Sequence, residues 1–257
     1  MRSKASPRGP VLDKLYQKGA YKAVFPRSET LTAVLVNTAG GVTGGDRFQL
    51  EAGAGPDSAL TLTTQAAERA YKALPGAAGR IRTHLTADMG ARLWWLPQET
   101  IVFDGAHVER HLRCDLAEGA EFLLVEPLII GRTAMGETAV RGRMSERIEV
   151  FRAGQLTYLD SWTLAGDLTD AFAGPGVGGG AAAMASLIYA GPRAEALLDP
   201  VREYLGPAGG ASVIEPGQDT GLLVARMLAK DGYQLRKRLV PLLDFLTEEH
   251  LPTCWRL

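Results

Sequence analysis

Between about Val11 and Leu164 apolar and polar residues alternate with period two, most clearly at Leu31–Val36, Ala59–Thr63, Ile81–Leu85, Val108–Leu112 and Phe122–Val125. That period puts successive side chains on opposite faces of an extended chain, so each run predicts a strand with one buried face. Glycine or proline breaks the runs every ~10 residues, the rhythm of a sandwich, barrel or stacked sheet rather than of strand–helix–strand units. No long helical pattern interrupts this part of the chain.

A weak internal repeat bears on which β architecture forms. Gly90-Ala91-Arg92-Leu93-Trp94-Trp95-Leu96 can be laid over Gly119-Ala120-Glu121-Phe122-Leu123-Leu124-Val125, each a tight turn entering an apolar strand. Repeated turn-plus-strand units can pile into a coil. The same likeness also arises between any two hairpins of a β protein, so both readings stand at this point.

Composition changes beyond the glycine-dense stretch Phe172–Ala183, which reads as a mobile loop or boundary. Leu222–Lys230 and Gln234–Glu249 carry helix-like spacing, with Leu235, Leu239, Leu242, Leu243 and Leu246 on one side of the second segment. Pro241 falls inside that segment and would remove a helical hydrogen bond, so the helix is expected to begin near it. The chain is therefore expected to be one domain over 1–257, with a β body at about 11–170, a loop at about 172–183 and a helical region at about 216–250.

With 46% apolar residues the chain can bury a sizeable core. Its 28 Lys plus Arg against 29 Asp plus Glu point to neither nucleic acid nor a membrane surface as partner, and leave little self-repulsion to oppose association. Cys114 and Cys254 are far apart, in no zinc-like spacing, which fits a reducing cytoplasm. The basic start MRSKASPRGP leads into no apolar segment, and no run of about 18 apolar residues occurs, so neither secretion nor membrane spanning is expected.

The most distinctive local feature is Asn37-Thr38-Ala39-Gly40-Gly41-Val42-Thr43-Gly44-Gly45-Asp46. A phosphate loop needs GxxxxGK followed by Ser or Thr, whereas Asp46 here would repel phosphate. Asp46 instead closes a turn or faces a metal ion, the first being the simpler role. His107-Val108-Glu109-Arg110-His111 looks like a metalloprotease motif, but its glutamate lies midway between the histidines. On a strand, residues four apart stand about 13 Å apart, too far to share one metal.

Glu99, Asp104, Glu126, Glu137 and Asp160 lie beside apolar runs. Glu126, within LLVEPLII, is the most demanding, because a buried carboxylate needs a partner. Either an arginine such as Arg132, Arg141 or Arg143 pairs with it, or the acids line a water-filled passage. Thr61, Thr63, Thr64 and Gln65 end a strand with hydroxyls on alternate positions, either lining such a channel or satisfying an edge. No serine sits in GxSxG, and neither His84 nor His250 has a local acid–nucleophile signature, so nothing reads as a nucleophilic enzyme.

Taken in order, NTAGGVTGGD (Asn37–Asp46), LTTQAAERAY (Leu62–Tyr71), LWWLPQETIVFDGA (Leu93–Ala106), LVEPLIIGRTAMGE (Leu124–Glu137) and the closing CWRL resemble the urease accessory family UreD, also called UreH. The resemblance implies a mainly β fold of stacked, β-helix-like strands with a small C-terminal two-helix element. It further implies a non-enzymatic protein that binds UreF, reaches the GTPase UreG through it, contacts apo-urease and helps pass nickel to the urease site. On that basis Asp46, Thr63, Thr64, Glu99 and Glu137 line a nickel passage, with Asp104 and Glu126 as additions. Leu222, Met227, Leu235, Leu239, Leu242 and Leu246 would form the UreF-binding surface, unless both segments simply pack on the β body. Carboxylates spaced along a wet passage suit transient Ni²⁺ rather than a tightly bound cofactor. An apolar partner surface would also make the chain aggregate when expressed alone. Two other classes remain open from sequence: a β-helical hydrolase or lyase using paired carboxylates, and a metal-free structural adaptor.

Overall fold

A computed structural model describes residues 1–132, 135–137, 139–214 and 221–256. The chain enters through short strands β1 (Arg2–Lys4), β2 (Val11–Lys14) and β3 (Tyr21–Val24). It then winds as a solenoid. The first coil holds β4 (Thr32–Asn37) and β5 (Arg47–Ala54), and the second β6 (Ala59–Thr64), β7 (Glu68–Ala70) and β8 (Gly79–Ala87). The third holds β9 (Arg92–Leu96), β10 (Thr100–Val102) and β11 (His107–Leu116), and the last β12 (Glu121–Ile130) and β13 (Arg141–Arg152). Strands β4, β6, β9 and β12 stack in parallel on one side, and β5, β8, β11 and β13 on the opposite side. Short β7 and β10 make a third side, with β10 pairing onto the end of β12.

The repeat seen in the sequence is the coil register itself. Arg92 pairs with Glu121, Leu93 with Phe122, Trp94 with Leu123 and Trp95 with Leu124. One coil earlier, Ala59 pairs with Arg92 and Leu60 with Leu93. The turns before these strands are alike: Ser58, Ala91 and Ala120 each donate to the carbonyl three residues back, and Asp57, Gly90 and Gly119 each take positive φ. Stacking puts like residues on like, giving interior ladders such as Leu60–Leu93–Phe122 and Ala52–Leu85–Cys114–Val150. Coil spacing is tight at Gly142, where a Cβ would run into the Ala106 carbonyl oxygen.

After the coils, β14 (Gln155–Asp167) folds back antiparallel on β13, and α1 (Leu168–Ala173) leads through the Gly174–Gly180 turn into β15 (Ala183–Ala190), which pairs antiparallel with β12. Next come α2 (Ala194–Leu205), β16 (Gly209–Ile214), β17 (Leu222–Ala229) and α3 (Gly232–Leu246). Both longer helices cover the outside of the sheet formed by β12, β15, β17 and β16, where Leu197, Val201, Leu235, Leu239 and Leu243 bury against Leu123, Tyr189, Leu223 and Met227.

Two expectations are corrected here. The segment Leu222–Lys230 is not a helix but strand β17 and its edge, while the helix partnering α3 is α2, upstream. β17 sits between β15 and β16, with Leu223, Ala225 and Met227 under the helices and Leu222 and Val224 against the solenoid interior. Burial on both faces makes a strand continuously apolar and erases the period that distinguishes it from a helix. The start of the expected helical region, 216–220, lies outside the described residues, as does Leu257. Nor does α3 begin at Pro241: Asp231 caps it, its carboxylate accepting from Gln234 N at 2.7 Å, and the helix runs through the proline. Five buried leucines outweigh the one hydrogen bond that Pro241 removes.

Candidate functional site

Along β11 the inward positions are Val108, Arg110, Leu112, Cys114 and Leu116, and along β13 they are Met144, Glu146, Ile148 and Val150. The parallel register sets Arg110 beside Glu146, and the facing strand β12 contributes Glu126 from the other wall. Arg110 therefore lies inside the solenoid between two carboxylates. Its Nη1 donates to Glu126 Oε2 at 2.9 Å and to the Thr100 hydroxyl at 2.8 Å, and its Nη2 pairs with Glu146 Oε1. Trp95 Nε1 donates to the second Glu126 oxygen at 2.7 Å. The arginine that answers Glu126 is thus Arg110, not Arg132, Arg141 or Arg143.

The cluster continues toward the first coil. Glu68 accepts from Asn37 Nδ2 at 3.1 Å on both oxygens and from the Tyr21 hydroxyl at 3.3 Å, and Tyr21 stacks on Phe48 at 4.5 Å. A cavity of ≈ 50 Å³ is lined by Tyr21, Thr64, Glu68, Arg110, Glu126 and Glu146, among others. Burial pushes the Glu68 carboxyl up, and Asn37 and Tyr21 only partly offset it. The Glu146 carboxyl is raised as well, because loss of solvent outweighs the pull of Arg110 and the charge of Glu126 adds to the rise. Tyr21 is raised by burial and by the nearby Glu68 charge.

Other expected site residues lie elsewhere. Thr63 and Glu99 join a clasp around the C-terminal segment. The Thr63 hydroxyl donates to Leu96 O at 2.6 Å, and Glu99 accepts from Arg236 Nη1 at 3.0 and 3.2 Å. Arg236 also donates to Gln98 Oε1 and to Trp255 O, while Gln98 reaches Cys254 O and buried Trp255 donates to Leu96 O. Thr64 receives Gln98 N at 2.8 Å and edges the cavity. Asp46, Asp104 and Glu137 occupy corner turns of the first, third and last coils. Asp46 accepts from Thr43 N at 2.9 Å, closing its turn, and Asp104 accepts from Arg141 N at 2.8 Å. Glu137 accepts from Arg132 N, Nε and Nη2 and from Asp104 N. The Arg132 guanidinium beside Glu137 holds its carboxyl below the usual range. Asp160 pairs with Arg226.

His107 and His111 project from β11 onto the outer face, where His111 meets Glu149 at 2.6 Å. Among the described residues no three of His, Cys, Asp and Glu converge in a way that could hold a metal ion. Leu222, Met227, Leu235, Leu239, Leu242 and Leu246 are all buried beneath or within the helical layer. They pack on the β body and present no surface, a correction to the apolar docking face expected of them. The exposed aromatic residues of that layer are Tyr233, Tyr204 and Phe245, the last two 5.5 Å apart.

Sequence reasoning missed Arg110, Glu146 and Glu68 as residues of this cluster. The signal was parity: in strands read as alternating, Arg110 and Glu146 fall on the apolar positions.

The molecule is thus a β-solenoid with a charged, acid-rich lumen, closed on one side by two helices and a clasped C-terminal segment. A model of the UreD urease accessory protein family matches residues 1–256. Proteins named urease accessory protein UreD are 48% identical over 99% of this chain and 92% of their own in Roseobacter denitrificans, and 47% identical over 95% and 94% in Ruegeria pomeroyi. One from Agrobacterium fabrum is 41% identical over 96% of this chain and 86% of its own. The chain belongs to the UreD urease accessory protein family.

Proposed function

We propose that this protein serves urease maturation as a non-catalytic scaffold, binding UreF and apo-urease and helping pass nickel from UreG toward the urease active site. The observation that carries the reading is the acid-lined lumen of a chain matched to the UreD family over residues 1–256. Thr64 and Glu126 line the passage, joined by Glu68 and Glu146. Asp46, Asp104 and Glu137 tie the corner turns, and Thr63 and Glu99 hold the clasp, so these five act on the passage through its shape. Oxygen donors spread along a lumen let a hydrated divalent ion move without closing round it. UreF contacts fall to the exposed Tyr204, Tyr233 and Phe245 of the helical layer, and the leucines beneath support them.

The test is co-expression with UreF, gel filtration of the joint complex, and urease activation with wild type, Glu126→Gln and Glu146→Gln. The expected result is a soluble complex for all three and activation lowered at least tenfold in the variants. Full activation by both variants within an intact complex would remove the passage assignment. A wild-type chain that is soluble, monomeric and indifferent to UreF would remove the scaffold.

A further inference from the structure

The lumen holds one guanidinium, Arg110, against three carboxylates, Glu68, Glu126 and Glu146. Uncompensated charge in an interior is costly, and buried ion pairs persist without penalty only when the remaining hydrogen-bonding capacity is filled. Here it is not filled: among the described residues Arg110 Nε has no acceptor and Glu146 Oε2 has no donor, although both atoms are buried. A cluster serving only to hold strands together would be as well made from apolar residues of the same volume. This one carries more carboxyls than cations, is incompletely bonded and lies beside a cavity of ≈ 50 Å³.

We propose that Arg110 is a displaceable resident cation, its guanidinium filling the seat between Glu126 and Glu146 that a divalent metal ion takes when it enters the lumen. The proposal rests on the passage reading above and adds how the passage is kept shut. With Arg110 in place both acids turn to its guanidinium, Glu126 through Nη1 and Glu146 through Nη2. The donors define the ligand class. Carboxylates and the hydroxyls of Thr64, Thr100 and Tyr21 suit hard or borderline divalent ions, and the His111 ring is turned outward to Glu149. Entry is an exchange in which the ion takes the Glu126–Glu146 seat and Arg110 swings toward Glu68 across the cavity. Because the arginine competes for its seat, the ion is held weakly and released readily.

The test uses the full chain, with Mn²⁺ followed by electron paramagnetic resonance and Ni²⁺ by calorimetry. Arg110→Met, which keeps an unbranched stem and removes the charge, is expected to bind one ion at least tenfold more tightly than wild type. Adding Glu126→Gln and Glu146→Gln should abolish that gain. Equal affinity of wild type and Arg110→Met, or a gain that survives loss of both glutamates, overturns the proposal. Arg110→Lys is run beside it, because it keeps a buried charge and folds more readily, yet its compact ammonium cannot span both carboxylates. Its expected affinity is intermediate, and if Arg110→Met does not fold, a folded Arg110→Lys that binds no better than wild type also overturns the proposal. If removing Arg110 creates the site while Glu126→Gln and Glu146→Gln still activate urease, the exchange site stands and the passage reading fails. If those variants abolish activation and no site appears without Arg110, the passage stands and the exchange fails.

Discussion

Replacing Arg236 by alanine should destabilise this protein well beyond the loss of an ordinary surface ion pair. The Arg236 side chain is 26% exposed, yet it serves Glu99, which is 6% exposed, along with Gln98 and the Trp255 carbonyl. Alanine would leave a buried carboxylate without its cation and release the chain end that carries Trp255. Breaking a buried pair by removing one partner costs about 3–5 kcal/mol, and partial exposure of the arginine places the expectation nearer about 3. For a chain of this size about 1 kcal/mol moves Tm by roughly 2–4 °C, so a fall of about 6–12 °C is expected in a thermal melt. The mechanism predicts its own rescue. Glu99→Gln in the Arg236→Ala background removes the orphaned charge and should recover a third or more of the loss, giving a coupling energy of about 1 kcal/mol or more in the double-mutant cycle. A melt within about 1 °C of wild type, or strictly additive changes, would refute the reasoning.

Three more outcomes follow from particular residues. Gly119→Val, which must take φ +68, should cost about 1–2 kcal/mol in denaturant unfolding, whereas Asp57→Gly at the matching turn should be neutral or stabilising; the reverse order would break the equivalence of the turns. Glu146 has its folded-state pKa raised above the unfolded value, so its contribution is fully present below the unfolded pKa and is lost as pH rises through the folded one. The stability of Glu146→Gln relative to wild type should therefore improve from about pH 5 to pH 8, and a constant difference would contradict the raised carboxyl. Burial pushes the Cys114 thiol well up and encloses it between coils, so a thiol reagent should label Cys254 alone in the native protein and both cysteines only after unfolding.

Much of the body was legible in the chain. The alternating runs fall within β4, β6, β8, β11 and β12 to within one residue, and the overlay of Gly90–Leu96 on Gly119–Val125 gives the pairing of Arg92–Trp95 with Glu121–Leu124 residue for residue. It was legible because parallel stacking in register sets each residue above its counterpart, so a spatial contact becomes a sequence repeat. β17 was illegible for the opposite reason, since cover on both faces leaves no alternation to read. The site divides in the same way. That Glu126 needs a partner follows from its apolar neighbours alone, and of the two roles open to Asp46 the simpler, closing its turn, matches its contact with Thr43 N. That the partner is Arg110, joined by Glu146 and Trp95, does not follow.

Sequence by itself determined most strands of the body, their punctuation and the family, and offered the coil register as one of two readings, because each is written in local period or in ordered blocks of residues. Only the tertiary structure decided which acids share the lumen, that Arg236 joins Glu99 to the chain end, and that the six apolar residues of the expected docking face are core. Those facts depend on contacts between residues 16 to 156 positions apart, as in Arg110–Glu126 and Gln98–Cys254. Such contacts are fixed by how the coils close and what covers them, and no local pattern encodes that closure.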